Sequence, residues 1–330
     1  MSRLKLFHYI ENLDHSKTVN RVTAVESIID LQLKLNSKKR KIGQYYSQRM
    51  KYNLWNAISR QLNPYETAWD GVKPKIICSR AYFKLTEIIL AFNLSEIVGK
   101  CSHALHLCEA PGGFAQSTLE FIKPIKSTAT TIKSDIKFHH SLKGKVNIIY
   151  EDILSESPSS LLNVPTSEFI TADGAFDVSD RYDSQELTSH SLISAEITWA
   201  MACQSIGGCF VIKIFDICLL KTWSNILHLK NCYDRVVIVK PPSSRPANSE
   251  KYVVCIGFNG WKPRVIEQNI NIDDISENVI KMSIGYQNIH ISDALENIKN
   301  DSSTLKKNRI DNQNKNLLLY QKNYPEVFRR

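Results

Sequence analysis

Short apolar runs of strand length recur through the middle of the chain, at 105–107, 129–132, 146–150, 168–172, 209–214, 235–240 and 252–258, with amphipathic stretches between several of them. Strands alternating with helices predict an α/β protein built on a parallel, doubly wound sheet. Ligands of such sheets bind in the crevice beyond the carboxyl ends of the strands, so the polar residues that end each run are the first candidates for chemistry. Outside this region the pattern weakens. Residues 1–70 read as a helical, basic N-terminal extension, 71–262 hold the strands, and 263–330 form a C-terminal extension in which the strands give out. Within it, 296–316 is rich in Asn, Lys, Asp and Ser and reads as a loosely packed tail or a late helix.

The run at 105–107 continues through Cys108 into Glu109 and then Ala110-Pro111-Gly112-Gly113-Phe114. This reads as a buried strand ending in an acid, then a glycine turn that opens a helix. Glycines there let the backbone come close to a ligand, and an acid at a strand's end can accept hydrogen bonds from a ribose or an amine. The spacing is not the dinucleotide fingerprint, which needs three glycines over six positions. Two further strand ends are polar. The run at 168–172 terminates in Asp173-Gly174, and Phe210-Val211-Ile212 leads straight into Lys213, an ammonium that would be costly alone in an apolar segment. Taken by themselves, Asp173 and Lys213 also suit a buried ion pair that merely fixes strand register. Upstream, residues 79–88 read as a helix carrying Arg80 and Lys84. Downstream, a Ser/Pro-rich loop from Lys240 to Glu250 leads into the last run.

These segments resemble, in order, the motifs of the S-adenosylmethionine-dependent RNA 2′-O-ribose methyltransferases of the FtsJ-like class. Glu-Ala-Pro-Gly-Gly-Phe at 109–114 is similar to the family's first motif, and Lys84, Asp173, Lys213 and Glu250 fall where the family carries its Lys-Asp-Lys-Glu tetrad. Ser244 to Cys255, together with Thr171 to Phe176 and then Ser184 to Leu187, is similar to the cap-specific branch. The resemblance spans 78–258 and implies a Rossmann-like sheet, mostly parallel, of seven strands with the last one antiparallel. It implies a cap-specific mRNA (nucleoside-2′-O-)-methyltransferase acting on the first transcribed nucleotide. The alternatives are an enzyme of ribosomal or transfer RNA, or a non-catalytic RNA-binding capping subunit that keeps the fold.

Methyl transfer from a sulfonium to a ribose hydroxyl requires an in-line approach and an oxygen that is losing its proton, and holding the reactants about 3 Å apart supplies several kcal/mol. A lysine takes that proton only when neutral, so Lys213 as a base needs a pKa well below the usual ~10.4. Burial, a second lysine and the cofactor's positive charge lower it, whereas carboxylates act oppositely. The expected roles are Lys213 as base or oxyanion-stabilising group, with Lys84, Asp173 and Glu250 orienting it and setting its charge.

The resemblance further implies S-adenosyl-L-methionine as cofactor, with S-adenosyl-L-homocysteine as product. Glu109, Ala110, Pro111, Gly112, Gly113 and Phe114 would line its methionine and ribose end, with Asp173 beside them. Asp152 stands where the family keeps an acid near the adenine amino group, or else caps a helix. Asp135 follows the second strand and could meet the ribose hydroxyls, although its loop is rich in basic and His residues and suits RNA as well. Expected RNA contacts are Arg80, Ser244 and Arg245, with Phe176 or Tyr182 stacking on the substrate. Phe176 suits a plug for the sheet edge equally.

Composition agrees with a polyanionic partner: the net charge is +9 and the pI about 9.0. A basic run, Lys38-Lys39-Arg40-Lys41, precedes Tyr45, Tyr46, Arg49, Lys51, Tyr52 and Trp55. Interleaved aromatics can stack on bases, but Leu54, Trp55 and Ile58 also have the helical spacing of a core face. The run itself suits RNA, nuclear import or a solvated surface. Eight cysteines include no CxxC pair, and His139-His140 has no ligand-spaced cysteine partner, so reduced thiols and no metal are expected. Neither a signal peptide nor a membrane span is visible, which predicts a soluble intracellular protein, nuclear or cytoplasmic. Capped RNA is the expected partner, with other capping enzymes or an RNA polymerase as protein partners and no membrane.

Overall fold

The structure is a computed structural model, which describes residues 9–12, 21–42, 77–158, 165–176, 183–270, 277–299, 311, 314–315 and 317–328. In chain order the elements are β1 (Tyr9–Asn12), α1 (Arg21–Ile42), α2 (Ala81–Phe92), α3 (Leu94–Val98), β2 (His103–Leu107), α4 (Gly113–Phe121), β3 (Lys126–Thr131) and β4 (Asn147–Tyr150). There follow β5 (Ser167–Ala172), α5 (Gln185–Cys203), β6 (Gln204–Ile214), α6 (Leu220–Cys232), β7 (Tyr233–Lys240), β8 (Lys251–Phe258), α7 (Glu277–Lys299) and α8 (Pro325–Phe328).

All eight strands form one sheet in the order β1-β7-β8-β6-β5-β2-β3-β4. Strands β2 to β6 pair in parallel, and β8 lies antiparallel between β6 and β7. This is the Rossmann-like methyltransferase arrangement expected from the resemblance, with one addition. Strand β1 pairs antiparallel with the outer edge of β7, where the sequence reading placed only helix.

Alternation along each strand divides the apolar residues between two layers. Phe169, Cys209, Val211, Val237, Tyr252 and Val254 face the layer of α2 and α4, built from Leu85, Ile88, Ile89 and Phe114. Ile170, Phe210, Ile212, Ile238, Val253 and Cys255 face the layer of α5 and α6, with Ile197, Trp199, Trp223 and Ile226. The two extensions join this second layer: Leu35 and Ile42 of α1 and Ile280, Ile284, Ile291 and Ala294 of α7 are buried in it. Residues 317–328 pack elsewhere, with Tyr320, Tyr324 and Val327 buried against Ile77, Tyr82 and Phe83. The C-terminal extension therefore contributes to the core in two places, and residues 296–299, read as a loosely packed tail or a late helix, form the end of α7.

Two topological facts position the site. Strands β2 and β5 are neighbours, yet β2 leads outward to β3 and β4 while β5 leads the other way to β6, which makes their carboxyl ends the switch point of the sheet. Strand β8 is antiparallel, so its beginning lies level with the end of β6, Lys213 opposite Tyr252 and Ile214 opposite Lys251. Glu250, just before β8, is thereby delivered to the carboxyl-end crevice. Among the described residues no helix is long and apolar enough to cross a membrane.

Candidate active site

The glycine turn stands at the switch point, where β2 gives way to α4. Cys108 takes a positive φ of 54° and Gly112 one of 108°, and the Ala110-Pro111 peptide is cis. The glycines are required by the chain's own packing. A Cβ on Gly112 would collide with Leu142, and one on Gly113 would lie 2.9 Å from the backbone nitrogen of Tyr82 at the start of α2. The Glu109 carboxylate caps α4: Oε1 accepts from the amides of Phe114 (2.7 Å) and Ala115 (2.9 Å). Its Oε2 is buried without a hydrogen-bond partner among the described residues, and burial pushes the carboxyl well above its usual range. An orphaned acid oxygen beside a glycine turn at the switch point suits a ligand that brings an N–H or O–H donor. The Phe114 side chain does not line this crevice. It is fully buried, with its ring 5.8 Å from that of Tyr252, because position 114 points into the α2–α4 layer.

The four residues of the expected tetrad are brought together as two ion pairs. Lys84, in the first turn of α2, places Nζ 2.8 Å from both Oε1 and Oε2 of Glu250. Lys213 donates to the backbone carbonyl of Asp173 (2.6 Å) and lies 3.0 Å from Asp173 Oδ1. Burial works against the charge of Lys213, but the carboxylates of Asp173, Glu250 and Glu196 outweigh it and hold the ammonium above the ordinary lysine value. Of the two roles left open for Lys213, a charged ammonium favours the oxyanion-stabilising one over the base. Burial would likewise raise Glu250, yet Lys84 and Lys213 bring it down to about 2.

Several buried groups that the sequence reading did not single out complete the cluster. The Glu196 carboxylate on α5 accepts from the Gly174 amide at 2.9 Å, and a Cβ on Gly174 would strike it. Burial raises Glu196 to about 8 despite Lys213 nearby. The signal was available, since Glu196 sits among Leu192, Ile193, Ile197 and Ala200 on the apolar face of α5. Tyr252 donates to Asp173 Oδ1 at 3.4 Å. Lys240 donates to Ser244 Oγ (3.1 Å) and to the carbonyls of Asn248 (2.9 Å) and Glu250 (2.8 Å), pinning the loop that carries Glu250. Glu87, one turn beyond Lys84, accepts from Tyr320 of the C-terminal extension (2.6 Å) and from the Ser243 amide (3.1 Å).

The remaining expected contacts divide. Arg245 lines a cavity of about 240 Å³ together with Lys213 and Glu250. Arg80 is half-buried just before α2, and Phe176 is exposed beyond Asp173. Ser244 is corrected: it is fully buried, donating to Glu250 Oε1 at 2.9 Å, and so braces the acid instead of facing RNA. Asp152 is exposed just after β4, and its Oδ1 accepts from the Leu154 amide (3.0 Å) in a turn, with no helix among the described residues there for it to cap. Asp135 is exposed in the loop after β3. The basic run closes α1 and is not a free cationic patch. Lys39 is buried in an ion pair with Asp216, Lys38 donates to Ser292 Oγ of α7 (2.7 Å), and Arg40 pairs with Asp183 (2.9 Å). Tyr182 and the aromatic stretch from Tyr45 to Trp55 lie outside the described residues. All eight cysteines are free, and five are buried.

A glycine turn at the switch point, an orphaned acid beside it and a charged lysine within the sheet mark a candidate ligand site at the carboxyl-end crevice of a Rossmann-like α/β protein. The chain belongs to the FtsJ-like methyltransferase family, which matches residues 77–258. It is similar to cap-specific mRNA (nucleoside-2′-O-)-methyltransferase 2 of Mus musculus, at 27% identity over 71% of this chain and 34% of that protein. It is also similar to the cap-specific mRNA (nucleoside-2′-O-)-methyltransferase of Autographa californica nuclear polyhedrosis virus, at 28% identity over 53% of this chain and 71% of that protein. Over a shorter stretch, 35% of this chain and 13% of the relative, it is 36% identical to cap-specific mRNA (nucleoside-2′-O-)-methyltransferase 1 of Mus musculus. The chain spans about a third of the length of the first of these relatives.

Proposed function

We propose that this protein transfers a methyl group from S-adenosylmethionine to the ribose 2′-hydroxyl of the first transcribed nucleotide of capped RNA. The observation that carries the reading is the pair of buried lysine–carboxylate contacts, Lys84 with Glu250 and Lys213 with Asp173, beside the glycine turn. The named relatives support the capped substrate, and the similarity to the first of them covers more of the chain than the 77–258 family match does.

The residues present fit the cofactor. Glu109 Oε2 is a buried carboxyl oxygen without a partner among the described residues at the switch point, and the Asp173 carboxylate near it suits a cationic ligand. S-adenosylmethionine, when bound, supplies an activated methyl group on a sulfonium. Everything else falls to the chain. An ammonium has three N–H donors, and Lys213 gives two of them to the Asp173 carbonyl and carboxylate. The third is left for the ribose oxygen. Because the carboxylates keep Lys213 charged, its role is to stabilise negative charge as that oxygen loses its proton to water. Lys84 fixes Glu250, Glu250 holds Lys213 in its charged form, and Asp173 sets the direction of the ammonium. Arg245, on the cavity wall, is the group for a phosphate of the RNA.

The test is incubation with radiolabelled S-adenosylmethionine and short RNAs ending in an unmethylated cap guanine, a 7-methylguanine cap or a bare triphosphate, followed by digestion and identification of the methylated nucleoside. The reading requires 2′-O-methylation of the first nucleotide in the capped RNAs alone. Transfer only to ribosomal or transfer RNA would replace the substrate, and cofactor binding without any transfer would favour a non-catalytic subunit.

A further inference from the structure

The cavity of about 240 Å³ beside Lys213 and Glu250 is walled on its far side by both extensions, with Lys39 from α1 and Gln287 from α7. It is smaller than the roughly 300–1,000 Å³ typical of drug-sized ligands, which suits a single nucleoside. Neither helix belongs to the segment matched by the family.

Gln287 is the anomaly in it. Along α7 the buried positions are Ile280, Ser283, Ile284, Gln287, Ile291 and Ala294, so an amide sits on the mostly apolar stripe that seats the helix on the core. Only 4% of Gln287 is exposed. Its Nε2 donates to the Ala247 carbonyl at 3.2 Å, whereas its Oε1 is buried with no hydrogen-bond partner among the described residues. A carbonyl can only be met by a donor, so the Ala247 contact fixes the amide with its nitrogen bound and its oxygen left over. The platform is firm: Ile284 and Ile291 are buried on either side, and Lys38 of α1 holds the next turn through Ser292.

Building on the proposed function, we infer that this cavity holds the base of the acceptor nucleotide and that Gln287 Oε1 accepts a hydrogen bond from an amino group on its edge. Gln287 is thus a specificity-determining residue of the ribose-methylation site, favouring an amino-bearing first base over one that lacks the donor. A base is one bond from its ribose, so a base in this cavity brings the 2′-hydroxyl next to Lys213 without further reach.

The experiment uses the full chain and two pairs of capped RNAs, one beginning with adenosine or purine riboside, the other with guanosine or inosine. Each pair differs only by one amino group. In the wild-type protein at least one amino-bearing RNA should be methylated about tenfold faster, in kcat/KM, than its partner. Gln287→Met, close in length and volume, should bring that ratio near one, and Gln287→Glu, which keeps an acceptor oxygen, should retain part of it. Thermal melting and S-adenosylhomocysteine binding verify that the variants are folded. Ratios near one in the wild-type protein overturn the inference even if Gln287→Met does not fold, and so does an unchanged ratio in that variant. If the wild-type protein methylates none of the capped RNAs, the proposed function itself fails and the base assignment falls with it.

Discussion

Lys213 and Lys240 invite comparison. They lie on β6 and β7, the two strands that flank β8, both are buried, and both sit at the carboxyl-end crevice. Their surroundings differ in one respect. Lys240 donates three hydrogen bonds, to Ser244 Oγ and the carbonyls of Asn248 and Glu250, whereas Lys213 makes two polar contacts, both with Asp173, and lies 5.8 Å from the centroid of the Phe215 ring. Their pKa values are pushed in opposite directions. Burial pushes Lys240 well below its usual value, while the acids around Lys213 overcome burial and hold it up. Depth alone therefore does not mark a lysine for chemistry. What marks it is a donor left over and enough negative charge to keep it protonated.

The strongest way to break this contrast is to remove each amine in turn. Lys213→Ala should lower the rate of methyl transfer about 10³-fold with S-adenosylhomocysteine binding retained by calorimetry, since what it removes is charge stabilisation at the reacting oxygen. Lys240→Met should act chiefly on stability. Three acceptors lose their donor, and denaturant unfolding should show a loss of about 2–4 kcal/mol, with activity per folded molecule falling far less than in Lys213→Ala. Equal activity losses in the two variants would erase the distinction.

A smaller effect sharpens it from the acid side. Glu196 is raised to about 8 by burial, above the ~4.3 of an unfolded glutamate. The native state then binds more protons than the unfolded one, so the stability this group contributes is complete below about pH 4 and is lost as pH rises through about 8. Glu196→Gln keeps an acceptor for the Gly174 amide but cannot ionise. Its melting temperature should gain on the wild-type protein's between pH 5 and 9, and parallel curves would remove Glu196 from the electrostatics of the site. Smallest is Ser244→Ala, which removes the hydrogen bond to Glu250 and one of the three acceptors of Lys240: a loss of about 1–2 kcal/mol and a few-fold drop in rate by the same assays.

Much of the site was legible because its signal lies in residue type at strand ends. Glu109, Asp173 and Lys213 interrupt apolar runs where a plain sheet would continue, and that is visible without coordinates. What was not legible depends on neighbours from distant segments. Whether Lys213 is charged turns on Glu196 and Glu250, 17 residues before it and 37 after it in the numbering. Ser244 reads as a loop hydroxyl until Lys240 and Glu250 close around it. Helix α7 was passed over because Asn, Lys and Ser between its isoleucines mask a regular apolar stripe. Strand β1 escaped notice because four residues reading Tyr-Ile-Glu-Asn have no strand character apart from a partner more than two hundred positions away.

That short strand has a consequence for the protein as a colloid. The sheet has two rims. At one, β4 is only four residues long and offers little for another chain to pair with. At the other, β7 carries the valine-rich run Val236-Val237-Ile238-Val239, the kind of edge that templates intermolecular pairing when left open. Tyr9–Asn12 pairs with residues 237–240 and covers most of it. Tyr9–Asn12 thus acts as a selvedge: without that strand the β7 rim would become a self-adhesive seam.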